Sequence, residues 1–346
     1  MENDPLPAYR PYAVAVALAG CMMSAAPVSA EQLNLYSSRH YETDERLYSD
    51  FTELTGIEVK RIEGKADELI ARMQAEGINS PADVLLTVDT SRLERAKNSG
   101  VLQPVDSAVL AARIPANLRD TESEWFGFSQ RARIIFFDKA DVANPPQDYL
   151  SLADPAFRGM VCHRSSGNVY SQTLLSAMIQ NHGVEAARDW AAGVVENFAR
   201  KPQGGDTDQL RGLVSGECDI SISNTYYFAR ALRREVKGLD ADALAGIGWV
   251  FPAQDAEGAH VNLSGGGVAA HAPNRDNAIR FLEYLASDQA QQYFSAGNDE
   301  YPAVPGVALS ASVEALGPFK ADVVSLSAVA KNVATAQKIF NQVGWR

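Results

Sequence analysis

Short apolar runs alternate with amphipathic stretches from residue 33 onward, a pattern typical of an α/β protein. The apolar runs predict β-strands, and the amphipathic stretches between them, several of which stop at a glycine, predict α-helices. In the first hundred residues the pattern predicts strands at 33–36, 57–62 and 83–88 and helices at 43–55, 67–76 and 91–99. This order of elements indicates βαβαβ winding.

A long stretch at 126–137, polar at first and then apolar, predicts a strand that crosses between two lobes. The elements predicted after it are strands at 160–163, 198–201, 219–223, 247–252 and 260–270 and helices at 171–181, 184–197, 208–215, 224–235, 275–286, 288–295 and 323–343. The run Ser264-Gly265-Gly266-Gly267 predicts a break in the last strand, where the chain bends back to the first lobe.

The length of the chain also favours two lobes, because a single core stops growing at roughly 250 to 300 residues. We expect lobe 1 to comprise residues 31–129 and 255–303, and lobe 2 to comprise residues 130–254 and 304–346. The composition is that of an ordinary globular protein, with 46% hydrophobic and 21% charged residues. A net charge of -12 argues against a nucleic-acid partner and gives any cation an attractive field.

The first thirty residues have the features of an export signal. An apolar, small-residue-rich stretch at 13–26 follows Arg10 and leads to a tripeptide ending at Ala30, which fits cleavage after that residue. The alternative is a lipoprotein signal in which Cys21 carries the lipid. We expect a soluble periplasmic protein, because residues 22–28 continue the apolar stretch and do not form a polar tether.

Export places two remaining cysteines, Cys162 and Cys218, in an oxidising compartment. Each borders an apolar run that predicts a strand. A disulfide and two buried thiols fit the sequence equally, because the spacing along the chain does not fix the distance between the two Cα atoms.

Tyrosines recur where predicted strands end. The side chains that share this position are His40, Tyr41, Tyr170, Tyr226 and Tyr227. In an open α/β sheet, ligands bind beyond the carboxyl ends of the strands, so these side chains are expected to converge in one cleft. Any one of them could be an ordinary packing or surface residue. Their recurrence at equivalent positions in two lobes indicates a binding site.

Clustered phenols indicate a hard, highly charged cation. Free phenol has a pKa of about 10, so it binds well only to a Lewis acid that can displace its proton. Ferric iron is the abundant metal that does so. Four phenolates around Fe3+ leave a complex with a formal charge of about -1, which the guanidinium groups of Arg131 and Arg230 could offset.

Other classes of protein require different residues. An oxyanion pocket would need hydroxyl and backbone donors without clustered phenols, and a polyamine pocket would need carboxylates with aromatic walls. An enzyme would need a nucleophile with a base, and His40 near Ser37 and Ser38 is such a pair but has no orienting aspartate motif. We therefore expect a binding protein and not an enzyme.

Seven stretches are spread along the chain from residue 33 to residue 306. They are LNLYSSRHYETDERLY from Leu33, SPADVLLTVD from Ser80, GFSQRARIIFF from Gly127, CHRSSGNVYSQTL from Cys162, GGDTDQLRGLVSGECDISISNTYYFAR from Gly204, HVNLSGGGVAAHAPN from His260 and NDEYPAVPG from Asn298. These stretches resemble the periplasmic ferric-iron-binding proteins of ABC importers, in particular those of cyanobacteria and marine bacteria.

The resemblance implies the two-lobe, type II periplasmic binding protein fold, in which each lobe is a mainly parallel sheet flanked by helices and crossing strands form the hinge. Position by position, it implies that the metal ligands are His40, Tyr41, Tyr170, Tyr226 and Tyr227. Arg131 and Arg230 match basic residues beside the ligands. It also implies a monomer that delivers Fe3+, with Fe2+ as a second possible cargo, to an inner-membrane ABC permease. Some relatives add a carbonate or phosphate, which Ser165, Ser166 and residues 204–206 could hold.

Overall fold

The computed structural model describes residues 31–39 and 42–346, besides Met1. The predicted export signal and two of the predicted ligands, His40 and Tyr41, lie outside the described residues. The strands in the described part are β1 (Gln32–Ser37), β2 (Glu58–Glu63), β3 (Val84–Val88), β4 (Phe126–Asp138), β5 (Val161–Cys162), β6 (Ile220–Asn224), β7 (Ile247–Val250), β8 (Val261–Val268) and β9 (Tyr301–Pro302).

Helices separate most of these strands, and several end at a glycine with positive φ, as at Gly56 (φ 75°) after α1. In the described part they are α1 (Glu45–Thr55), α2 (Ala66–Glu76), α3 (Thr90–Asn98), α4 (Ala108–Arg113), α5 (Val169–His182), α6 (Val184–Glu196), α7 (Asp206–Val214), α8 (Thr225–Arg233), α9 (Ala241–Gly246), α10 (Arg275–Leu285), α11 (Asp288–Asn298), α12 (Ala311–Glu314), α13 (Leu326–Ala330) and α14 (Val333–Val343). Within the described residues, these helices are too short or too polar to cross a membrane.

The strands follow the order β2-β1-β3-β8-β4-β6-β5, with β7 and β9 also paired to β4. β1 is parallel to β2 and β3, and β5 is parallel to β6, while β4 and β8 run antiparallel to their neighbours. The first half of β4, up to Ala132, pairs with β8, and the second half, from Arg133, pairs with β6 and β7. The long predicted strand therefore links two groups of strands, as expected of a crossing strand.

The hydrophobic core is also divided along β4. One cluster, which includes Phe51, Trp125 and Phe281, draws almost all its residues from 33–128 and 263–304. Two further clusters, around Phe136 and Trp345, draw theirs from 132–261 and 301–345. The lobe boundaries expected from the sequence stay a prediction.

The break predicted at Ser264–Gly267 is wrong, since β8 runs through these residues without interruption. The glycines instead allow neighbouring backbones to approach. A Cβ atom would lie 2.4 Å from the Phe126 carbonyl oxygen at Gly265, 2.5 Å from the Leu85 oxygen at Gly266 and 2.1 Å from the Glu124 oxygen at Gly267. The three glycines therefore lie in a strand at positions where the neighbouring backbone leaves no space for a Cβ atom.

Two other predicted elements differ in extent. The helix predicted at 323–343 is two helices, α13 and α14, separated by Lys331 and Asn332. The strand predicted at 198–201 is reduced to one bridge between Phe198 and Val161, because β5 beside it is only two residues long.

A disulfide joins Cys162 at the end of β5 to Cys218 before β6. The parallel pairing of β5 with β6 brings the two residues together, with their Cα atoms 5.7 Å apart although they are 56 positions apart along the chain. This distance lies in the ordinary range for a disulfide. The structure thus decides between the two alternatives that the sequence left open.

Replacing both Cys162 and Cys218 with serine is expected to lower the free energy of unfolding by about 2–4 kcal/mol, because the unfolded chain loses a long covalent loop. Urea denaturation of the exported protein and of the double variant would measure the difference. Two titratable thiols in the unfolded, unreduced exported protein would contradict the assignment.

Candidate metal centre

The junction between β6 and α8 presents two adjacent tyrosines. All five residues of β6 are buried, and α8 begins directly after Asn224. Phe228 packs into the core against Phe136, with ring centroids 5.2 Å apart. Tyr226 and Tyr227 stack on each other at 4.1 Å and line the cleft. Packing of one face of α8 therefore fixes the phenols on the other.

The start of α5 presents the third tyrosine. Asn168 caps this helix, and its Oδ1 accepts a hydrogen bond of 3.0 Å from the backbone N–H of Tyr170. The hydroxyl oxygens of Tyr170 and Tyr226 lie 3.4 Å apart. Three of the five predicted ligands, Tyr170, Tyr226 and Tyr227, are thus brought together, although they are up to 57 residues apart in the chain.

These tyrosines line a cleft with a volume of about 960 Å³. The opposite wall comes from the ends of β1 and β3 and from the start of α2, and it includes Ser38, Val88 and Arg92. Ser38 is held in place by a hydrogen bond of 2.9 Å from its hydroxyl to that of Thr87. The cleft therefore lies at the carboxyl ends of strands from both groups, where ligands bind in open α/β sheets.

The two predicted arginines lie against the phenols. The Arg131 Cζ atom is 5.6 Å from the centroid of the Tyr170 ring. The Arg230 Cζ atom is 5.3 Å from the Tyr226 centroid and 5.8 Å from the Tyr227 centroid. Burial alone would lower the pKa of Arg131, but the neighbouring Tyr170 and Glu300 raise it above its ordinary value. Arg131 therefore remains a cation inside the protein.

Two further arginines and a carboxylate that pairs with both lie at the site, and the sequence pattern did not indicate them. The Cζ atoms of Arg133 and Arg164 lie 5.9 and 5.3 Å from the Tyr170 centroid. Both pair with the fully buried Asp206, at 3.1 and 3.4 Å. Arg133 could have been found from the sequence, because it is two residues after Arg131 in a strand and so shares its face. Arg164 was harder to find, because the sequence indicates only that it lies two residues beyond β5.

The Tyr227 phenol is protonated when no cation is bound. Burial raises the pKa of Tyr227 well above its ordinary value, and the charge of Asp206 raises it further, while its hydrogen bond with Tyr226 acts in the opposite direction. In the described part of the chain, no three His, Cys, Asp or Glu side chains are grouped so that they could hold a metal ion. The wall built by α5 and α8 therefore offers phenol oxygens, while the opposite wall carries the carboxylates of Glu63, Asp67 and Glu68.

Comparison with known proteins agrees with this geometry. The profile of the bacterial extracellular solute-binding proteins matches residues 79–320. The chain belongs to this family. It is 47% identical over 323 residues to iron uptake protein A1 of Synechocystis, and the match covers 92% of this chain and 89% of the relative.

Two solved structures extend the family relationship to the fold. The Trichodesmium protein IdiA (FutA), in complex with iron and citrate, has a TM-score of 0.88 at 48% identity and covers 91% of this chain and 100% of its own. Apo FutA2 from Synechocystis has a TM-score of 0.87 at 44% identity and covers 92% and 100%. The predicted two-lobe, type II α/β fold and the resemblance to ferric-iron-binding proteins are confirmed.

Asp206→Ala is expected to lower the free energy of unfolding by about 3–5 kcal/mol, because Arg133 would remain buried beside Tyr170 without its carboxylate. Asp208→Ala is the control. That carboxylate is on the same helix but half exposed, and its 2.7 Å bond to the Gly205 N–H is worth about 1 kcal/mol. Equal losses in urea denaturation of the two variants would contradict a structural role for the buried pair.

Proposed function

We propose that this protein captures ferric iron in its cleft through tyrosine phenolates and delivers it to an ABC permease. The observation that carries the proposal is the contact of the Tyr170 and Tyr226 hydroxyls at 3.4 Å, with Tyr227 stacked beside them. The names of two relatives support it, since one is an iron uptake protein and the other holds iron and citrate.

The three proposed ligands that the structure describes come from one wall of the cleft. Tyr170, Tyr226 and Tyr227 belong to the wall built by α5 and α8, and His40 and Tyr41 follow the strand that ends at Ser37 on the other wall. Binding an ion between the walls would join them. This is the geometry by which a two-lobe binding protein closes on its cargo.

The charges around the cleft favour an anionic iron complex. Four phenolates on Fe3+ would leave a formal charge of about -1 in a partly desolvated site. Arg131 is 1% exposed, and its Nε and Nη2 atoms have no hydrogen-bond partner among the described residues. Its guanidinium can therefore stabilise negative charge on Tyr170. An oxyanion would have no comparable use for clustered phenols.

We further propose that the protein acts as a monomer in the periplasm, after cleavage at Ala30, and is a carrier without catalytic activity. Membership of an extracellular solute-binding family supports export and a transport role. We keep the lobe boundaries near residues 130, 254 and 303 as part of this proposal. The exchange of partners along β4 between Ala132 and Arg133 supports the first of them.

Tyr226→Phe and Tyr227→Phe are each expected to weaken ferric binding by about tenfold or more, because each removes one anionic oxygen and keeps the ring. The iron-loaded wild type should show a visible phenolate-to-iron charge-transfer band, which both variants should weaken or shift. Competition with a ferric chelator would give the affinities.

Tyr301→Phe is the matched control for both variants. Tyr301 is buried next to Phe319 at 5.1 Å, and its hydroxyl has no hydrogen-bond partner among the described residues. Its removal should change neither stability nor iron binding. Wild-type affinity in both cleft variants would exclude the tyrosines as ligands, and a wild type that binds iron without colour would exclude phenolate coordination altogether.

Ferric affinity is expected to fall as the pH falls. The raised pKa of Tyr227 keeps the free phenol protonated, so iron must displace a proton from each phenol that it binds. The logarithm of the affinity should therefore rise with pH, and Tyr227→Phe should reduce this slope by about one proton. Chelator competition between about pH 5.5 and about pH 8 covers the range in which free phenols remain protonated. An unchanged slope in the variant would show that Tyr227 does not ionise on binding.

A further inference from the structure

Two consecutive carboxylates lie behind the arginines of the cleft. Asp299 and Glu300 follow α11 and belong to the stretch NDEYPAVPG, which the proposed ligands do not explain. Their side chains are buried, with Asp299 0% and Glu300 2% exposed. Asp299 also has a left-handed backbone (φ 61°, ψ 27°), which glycine, asparagine and aspartate adopt more readily than other residues. Buried carboxylates need charged or hydrogen-bonding partners, and both have arginine partners within the protein.

Glu300 is the buried carboxylate partner of two arginines, Arg131 and Arg39, and its Oε2 lies 3.4 Å from Arg39 Nη1. Its Oε1 lies 3.7 Å from Arg131 Nη1, and Ser264 bridges the two by accepting a hydrogen bond of 2.9 Å from Arg131 and donating one of 3.4 Å to Glu300. Ser129 fixes the other oxygen with a hydrogen bond of 2.6 Å. The guanidinium of Arg131 therefore faces both Glu300 and the ring of Tyr170.

Asp299 has the equivalent relation to Arg230. It accepts two hydrogen bonds of 2.8 Å from Arg233, and its Oδ2 lies 3.9 Å from Arg230 Nε. Arg230 in turn lies over the rings of Tyr226 and Tyr227. Arg131 and Arg230 thus each have a buried carboxylate as well as a phenol for a neighbour.

We propose that Glu300, assisted by Asp299, is a counter-charge that lowers the affinity for iron so that the cargo can be released. This inference rests on the proposed function. An arginine does not lose its proton in a protein, so its charge is present with and without iron. Without iron, the carboxylates neutralise the arginines. With iron, the anionic complex and the carboxylates share the same guanidinium groups and repel each other.

The expected size of this repulsion follows from Coulomb's law. Two like charges roughly 10 Å apart, at the dielectric constant that suits protein sites, change a binding constant by about tenfold. A purely structural role for Glu300 predicts the opposite sign, because a loosened Arg131 would support the phenolates less well. The direction of the change in affinity therefore separates the two roles.

Glu300→Gln tests the proposal, because glutamine has the same size and can still accept a hydrogen bond from Ser129 but has no charge. We expect ferric iron to bind about tenfold more tightly and to dissociate more slowly in chelator competition. We also expect the iron-free variant to unfold at a lower urea concentration, since Arg131 loses its partner. Structural damage alone would lower both the stability and the affinity for iron, so tighter iron binding together with lower stability would indicate the counter-charge.

Asp120→Asn is the matched control. Asp120 is buried and pairs with Lys97 at 2.8 Å, and neither residue lines the cleft. The Asp120→Asn variant should be less stable than the wild type but should bind ferric iron with the same affinity. Removal of the arginine gives a second check, since Glu300→Gln should have a much smaller effect on iron binding in an Arg131→Gln background.

If Glu300→Gln fails to fold, Asp299→Asn replaces it, because asparagine tolerates the left-handed conformation. It should also tighten binding, though by less, since Arg230 lies 3.9 Å away and is partly exposed. Unchanged or weaker ferric binding in a folded variant would overturn the proposal while the proposed function stands. A wild type that binds no iron would overturn the proposed function itself.

Discussion

A phenol is a weak acid, and removal from water makes it weaker, so a phenol shielded from water stays neutral until a strong Lewis acid arrives. Burial of Tyr227 raises its pKa in this way, which means that coordination must create negative charge inside the protein. That charge has to be matched by cations already in place. The arginines beside Tyr170 and Tyr226 supply them, and the buried carboxylates limit how strongly they act.

The crossing strand carries much of this arrangement. Arg131 and Arg133 lie two residues apart on β4, so both point to the side of the strand on which Tyr170 lies. The change of pairing partners on β4 falls between Ala132 and Arg133. The strand that links the two groups of strands therefore also brings positive charge to the floor of the cleft. The segment of β4 around Arg131 and Arg133 thus both links the two groups of strands and carries the positive charge beside Tyr170.

Much of this could be predicted from the sequence. The alternating pattern predicted most elements, and the position of Tyr226 and Tyr227 after a buried strand predicted their place at the cleft. The pattern gave wrong or open answers where contacts between distant residues determine the local structure. Gly265, Gly266 and Gly267 look like a turn, but they lie in a strand, because neighbouring backbones leave no room for a Cβ atom. Spacing alone could not decide the disulfide, because it does not fix the register of β5 with β6.

The buried ion pairs are a further case that sequence patterns do not reveal. Asp206 and Arg164 are 42 residues apart and look like surface charges in a polar stretch. Only the packing of α7 against β6 shows that Asp206 is fully buried and serves two arginines. Glu300 has the same character, since nothing near it in the sequence indicates Arg131 as its partner.

The disulfide adds a covalent constraint to the electrostatic one. Cys162 ends β5, from which the chain leads through Arg164 to Tyr170, and Cys218 precedes β6, which leads to Tyr226. The bond therefore joins the two segments whose phenol oxygens lie 3.4 Å apart. Holding both segments in one arrangement before iron arrives reduces the ordering that binding must accomplish. Three of the proposed ligands are thus fixed on one wall of the cleft, and the free energy of binding remains available for bringing the other wall to the metal.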